Sequence, residues 1–255
     1  MKHSEGKYRD LSWLKIVIPV CIVAAIAIFI VVYFFLPHET NLTEEYTQQV
    51  DPNDPINRVI NFAELQQINP EIYAWLYVPD TNVDYPVLQH PADDGFYLHH
   101  DINGNYLYSG SIYSESLNKT DFSDPVTMLY GHNMGDGTMV TSLDLFKEKA
   151  FFDSHEFMYI YTPQYSYKLR IISAYVWGDK HVLKNNDFTN QQKLQDYFNY
   201  VCAPDTRLAY VREGAQLTTQ DRIVQLSTCW APVYNIKERY LVTGQFVLTV
   251  PAPSQ

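Results

Sequence analysis

Apolar and polar positions alternate in short runs through most of the chain, and this two-residue period predicts strands. They fall near Ala74–Val78, Val83–Gln89, Ser109–Ser114, Val126–Tyr130, Glu156–Thr162, Tyr165–Trp177, Arg222–Thr228 and Tyr240–Val250. Turn signals such as Asn103-Gly104-Asn105, Gly135-Asp136-Gly137 and Pro163-Gln164 separate many of them. Helical spacing replaces alternation in three places. Residues 55–68 carry Ile56, Val59, Ile60 and Leu65 on one face, with Asp54 to cap the helix and Pro55 to open it. Ser142–Lys149 is a short helical stretch, and Asn190–Val201 aligns Leu194, Tyr197, Phe198 and Val201. Many short strands with few helices predict a closed barrel or a sandwich. One segment has neither period. Ile16 to Leu36 is apolar throughout and carries no charge, which matches the roughly 20 residues a helix needs to cross a bilayer.

Charge gives that segment a direction. Lys2, Lys7, Arg9 and Lys15 precede it, whereas Glu39, Glu44, Glu45, Asp51 and Asp54 follow it. Basic flanks stay in the cytoplasm, so everything after Leu36 is expected outside the cell. The run is long for a signal peptide and no small-x-small cleavage site follows, which favours an uncleaved anchor. The expected layout is a cytoplasmic N-terminus over 1–15, a transmembrane signal anchor over 16–36, an extracellular stalk over 37–54 and one catalytic domain over 55–255. With 46% hydrophobic and 18% charged residues the chain is not disordered. Its 21 Tyr and 13 Phe suit a pleated core. A net charge of -11 argues against a nucleic-acid surface. Three cysteines and no Cys/His ligand cluster make a disulfide framework or a zinc site unexpected, and no cofactor is implied. Asn118-Lys-Thr matches the glycosylation acceptor pattern.

The candidate chemistry lies at strand ends. Gln225-Leu-Ser-Thr-Cys-Trp230 is an apolar strand ending on Cys229, which is either core filler or a nucleophile held out by a rigid element. Ser227 and Thr228 beside it are small and polar enough to line a substrate site. Met128-Leu-Tyr-Gly-His-Asn133 ends a second strand and carries His132 into a glycine turn, where a general acid/base or a plain surface histidine would stand. Arg239 immediately precedes the last strand. If strands 222–228 and 240–250 pair, the intervening loop returns it to Cys229 as an oxyanion donor; otherwise it is a surface arginine paired with Glu238 or Asp221. His99-His100 is no metal pair, because adjacent strand residues face opposite ways. Papain-type chemistry is excluded, since no histidine follows Cys229.

The set His132, Cys229 and Arg239, in the contexts YGHNM, QLSTC and RYLVTGQF, resembles the sortases, membrane-anchored cysteine transpeptidases of Gram-positive bacteria. The blocks WLYVPDTNVDYPVLQ, FYLHHDINGNYLYSGSIY and MLYGHNMGDGTMVTSLDLF are similar to the class B branch. The resemblance implies a closed eight-stranded β-barrel with flanking helices. It implies Cys229 as nucleophile, His132 as general acid/base, Arg239 as oxyanion and substrate donor, and Ser227 and Thr228 in the substrate groove. The implied partners are surface proteins bearing a sorting signal of the Asn-Pro-x-Thr or Leu-Pro-x-Thr type, and a lipid II-type amine acceptor. Departures from the family pattern are Trp230-Ala231-Pro232 after the cysteine and Gln245 after the late glycine. Pilin polymerisation, hydrolysis by a cysteine peptidase on the same scaffold, and an inactive anchored binding scaffold are the competing functions.

Overall fold

The computed structural model describes residues 42–229 and 237–254, together with Ile18 and Ala24. The expected membrane span lies almost wholly outside these residues. Among the described residues no helix is long and apolar enough to cross a membrane. Nine strands form one sheet: β1 (Ile72–Tyr77), β2 (Asp84–Leu88), β3 (Ile112–Tyr113), β4 (Val126–Tyr130), β5 (Phe157–Tyr161), β6 (Tyr165–Trp177), β7 (Ala209–Val211), β8 (Ile223–Cys229) and β9 (Arg239–Pro251). Their order is β5-β1-β2-β3-β4-β8-β9-β6-β7, and β5 also pairs with β6. That last pairing closes β1–β6, β8 and β9 into the expected eight-stranded barrel, with β7 appended to the far half of β6. Five helices accompany it: α1 (Leu42–Tyr46), α2 (Phe62–Ile68), α3 (Lys149–Ser154), α4 (Val182–Asn185) and α5 (Gln191–Cys202).

Strand alternation sorts side chains onto two faces. The inner set, including Leu129, Ile171, Val224, Leu226, Tyr240 and Val242, fills the barrel. The outer set on β4, β6, β8 and β9 (Val126, Met128, Ile172, Ile223, Leu241) is covered by Leu194, Tyr197, Phe198 and Val201 of α5. Gln225 is fully buried under that helix, where its amide donates to Tyr175 Oη and Thr243 Oγ1 and its carbonyl oxygen accepts from Tyr197 Oη. Asn190 caps α5 by accepting from Lys193 N, as its place before the apolar face predicts.

Three expectations change. The helix expected over 55–68 is a 3-10 turn at Pro55–Asn57 followed by α2, because Ile60 bridges to Thr47 and Asn61 starts a new helix by accepting from Glu64 N. Asp54 stands at the N-terminus of the turn without a side-chain cap. The compact unit containing the barrel begins at Thr43, so part of the expected stalk is domain. Arg58 is the reason. Its side chain is 1% exposed and forms a two-pronged pair with Asp84 at 2.7 and 3.0 Å, while Nε donates to Gln48 O at 3.1 Å and Nη2 to Thr47 Oγ1 at 2.6 Å. Trp75 Nε1 donates to the same carboxylate at 2.6 Å. Finally, Asn118 is no glycan acceptor. It is 4% exposed, with its amide nitrogen on Val126 O at 2.8 Å and its oxygen taken by Met128 N at 2.9 Å.

Candidate active site

Three adjacent strands bring the three candidate residues into one row. β8 and β9 pair antiparallel with Cys229 directly opposite Arg239. β4 and β8 pair parallel with Tyr130 opposite Ser227. The ladder continues past β4 through Gly131 N on Ser227 O at 3.2 Å, so the same register sets His132 beside Cys229. Paired strands lie about 4.8 Å apart, and residues in one row share a face. Thiol, imidazole and guanidinium therefore share the outer face. Ser227 shares it too, one pair below, and is almost wholly buried. Thr228 does not. It faces the barrel interior and is 2% exposed, so the structure does not bring it to the groove.

His132 is held by backbone from another part of the chain. Its Nε2 lies 3.0 Å from Leu98 O. A carbonyl only accepts, so the proton sits on Nε2 and the lone pair on Nδ1. Burial pushes the imidazole below its ordinary value, the Leu98 carbonyl pulls it back up in part, and His99 adds to the lowering. A nuclear magnetic resonance titration of the Cys229→Ala protein should find His132 below 6.5; a value above it would remove this picture of the ring's surroundings. The folded value lies below the unfolded one, so the contribution to stability is complete above 6.5 and is lost as pH falls toward the lowered value.

Gly110 fixes the position of Leu98 O. It sits at φ +61°, and a Cβ there would lie 2.3 Å from Leu98 O and 2.4 Å from Tyr97 O. Gly110→Ala is expected to cost about 1–3 kcal/mol and to move the carbonyl that holds His132. Chemical denaturation reads the first effect, and the Nε2 proton resonance of His132 reads the second. An unmoved resonance in a destabilised protein would show that the two are not linked.

Sequence reasoning missed several side chains here, because each is defined by partners remote in the chain. Asn133, 5% exposed, donates from Nδ2 to Cys229 O at 3.1 Å and ties the two strand ends together. Tyr113 and Tyr130 lie beside the row with ring centroids 5.5 Å apart. Burial pushes both phenols up; Glu115 adds to this and Arg239 opposes it. Glu115 in turn grips His181 Nε2 at 2.8 Å, which fastens the start of α4 against the groove. Nothing in the spacing of 115 and 181 signals that contact. Arg239 Nη1 donates to Glu238 O at 3.3 Å, and the Glu238 carboxylate meets Arg207 at 2.6 Å. Gln245, one of the family departures, donates to Asp221 at 2.8 Å.

A closed barrel that sets a thiol between an imidazole and a guanidinium is the framework of a cysteine acyl-transfer enzyme. The family model for the sortase domain matches residues 76–247. Sortase B of Listeria monocytogenes is 30% identical over 184 residues, 72% of this chain and 73% of that one. The X-ray structure of Clostridium perfringens sortase B superposes with a TM-score of 0.65 at 30% identity, covering 73% of this chain and all of that one. A substrate complex of Staphylococcus aureus sortase B gives 0.64 at 28% identity, covering 73% and 84%; that enzyme has also been solved with triglycine. The chain belongs to the sortase family, in its class B branch, and is a cysteine transpeptidase.

Proposed function

We propose that this transpeptidase cleaves a C-terminal sorting signal of the Asn-Pro-x-Thr or Leu-Pro-x-Thr type after threonine and joins the new carboxyl terminus to an amine of a cell-wall precursor. The single row of Cys229, His132 and Arg239 carries this reading. Cys229 Sγ attacks the threonine carbonyl, and the proton of the thiol passes to His132. Arg239 donates to the oxyanion of the tetrahedral intermediate. Collapse breaks the C–N bond, His132 returns the proton to the departing amine, and a thioester to Cys229 remains. An incoming amine then attacks the thioester, gives a proton through His132 to the thiolate, and leaves as the new amide. Ser227 lines the floor of the groove. Substrate and triglycine complexes of Staphylococcus aureus sortase B support a peptide donor and a peptide amine as acceptor.

The apolar run 16–36 anchors the enzyme in the cell membrane with its N-terminus inside and its catalytic domain outside. This keeps it in one layer with a lipid-linked acceptor and raises the effective concentration of each for the other. The test mixes the full chain, with and without Cys229→Ala, with peptides carrying each signal and an amine. Mass spectrometry of an amine-joined product, absent from the variant, supports the proposal. Release of the free acid alone points to hydrolysis, and no Cys229-dependent product overturns the assignment.

A further inference from the structure

Three aromatic rings crowd His132 on the side away from Cys229. The segment 96–111 leads into β3, and the strand order β3-β4-β8-β9 sets it beyond His132 from the thiol. The His99 and Tyr108 rings stack on His132 with centroids 5.2 and 5.7 Å away, at interplanar angles of 28° and 16°. Tyr106 stands 6.2 Å from His99. Tyr106 is 71% and Tyr108 62% exposed, so two large rings face water beside the acid/base. They are held rigidly. Asp101 Oδ1 accepts from Asn103 N and Asn105 N, Leu107 N donates to His99 O, and Ser111 Oγ to His100 O. The surroundings are acidic: no Lys or Arg occurs between Arg58 and Lys119, whereas Asp93, Asp94, Asp101 and Glu115 all lie there.

We propose that Tyr106, Tyr108 and His99 form a ledge that docks the incoming amine in its cationic form, against ring faces and next to His132. This deepens the transpeptidase reading and rests on it. The lateral order supplies the argument. Arg239 and the acyl group lie on the β9 side of the thiol's row, so both the departing and the arriving amine pass on the His132 side. An ammonium is attracted to tyrosine faces and to a surface of carboxylates. His132 has only to take its proton for the amine to become a nucleophile one step from the thioester.

The test uses the full chain carrying Cys229→Ala, so that no chemistry intervenes, titrated with Gly-Gly-Gly amide and with its N-acetylated form by nuclear magnetic resonance. The cationic peptide should perturb Tyr106, Tyr108, His99 and His132, and the acetylated one should bind far more weakly. Tyr106→Ala and Tyr108→Ala should each weaken binding about threefold, and both together about tenfold. The corresponding Phe variants should retain it. In the active enzyme the alanine variants should raise the acceptor KM and leave thioester formation unchanged. Equal binding of the acetylated peptide, equal loss in Phe and Ala variants, or perturbation elsewhere would overturn the ledge. Slower thioester formation in the alanine variants would instead assign it to the departing part of the signal. Because the titration needs no turnover, a failed transpeptidase reading is seen separately, as absence of any Cys229-dependent product.

Discussion

Cys229→Ala leaves a folded barrel that makes no thioester, and transpeptidation falls by about 10⁴-fold or more. The loss is this large because a nucleophile has no partial substitute. His132 and Arg239 can still bind and polarise a carbonyl, but no bond forms to trap the acyl group. Cys202, the other described cysteine, cannot take over. It is half-buried at the end of α5, and burial pushes its thiol up. Stability should change by less than about 1 kcal/mol, since the half-exposed thiol fills little of the core. The measurement is trapping of the acyl-enzyme by intact-protein mass spectrometry, alongside a denaturation curve. Persistence of a hundredth of the native rate would show that some other group attacks the substrate.

Arg58→Ala should destabilise the domain by about 3–5 kcal/mol, the range for removing one partner of a buried pair. The guanidinium side chain is 1% exposed, and its loss strands Asp84, a carboxylate only 20% exposed. It also releases Thr47 and Gln48, so the segment before the barrel loses its tether. Removing both charges at once, as Arg58→Met with Asp84→Leu, should cost much less than either alone, apart from the hydrogen bond that Trp75 Nε1 loses. A double-mutant cycle on denaturation midpoints tests this. Additive costs in that cycle would mean that the pair is incidental and that the loss comes from packing.

Alternation was enough to find every strand of the closed ring, because each barrel strand buries one face. Where the signal failed, a partner elsewhere in the chain decided. The expected strand 109–114 shrinks to Ile112–Tyr113, since Gly110 turns the chain at positive φ. β7, only Ala209–Val211, has no apolar run of its own and pairs because β5 leaves the second half of β6 open. Of the site, Cys229, His132 and Arg239 were legible as strand-end polar residues in distinctive contexts. Ser227 and Thr228 read alike in sequence, and only the face each takes separates them. Asn133, Glu115, His181 and the aromatic ledge were silent, because pairing across the barrel leaves no local period.

The parallel pairing of β4 with β8 has a consequence for when the enzyme comes alive. Residues 126–130 must wait for residues 223–227, and Cys229 must wait for Arg239 in the last strand. The β5–β6 hairpin can close as soon as it emerges, being joined by a short turn. The row of thiol, imidazole and guanidinium belongs to the closing event of folding, when long-range contacts meet their loop-closure entropy. A chain still threading out of its synthesis or export machinery thus carries a thiol without its acid/base and oxyanion donor in place. Competence to acylate arrives all at once, with the final strand.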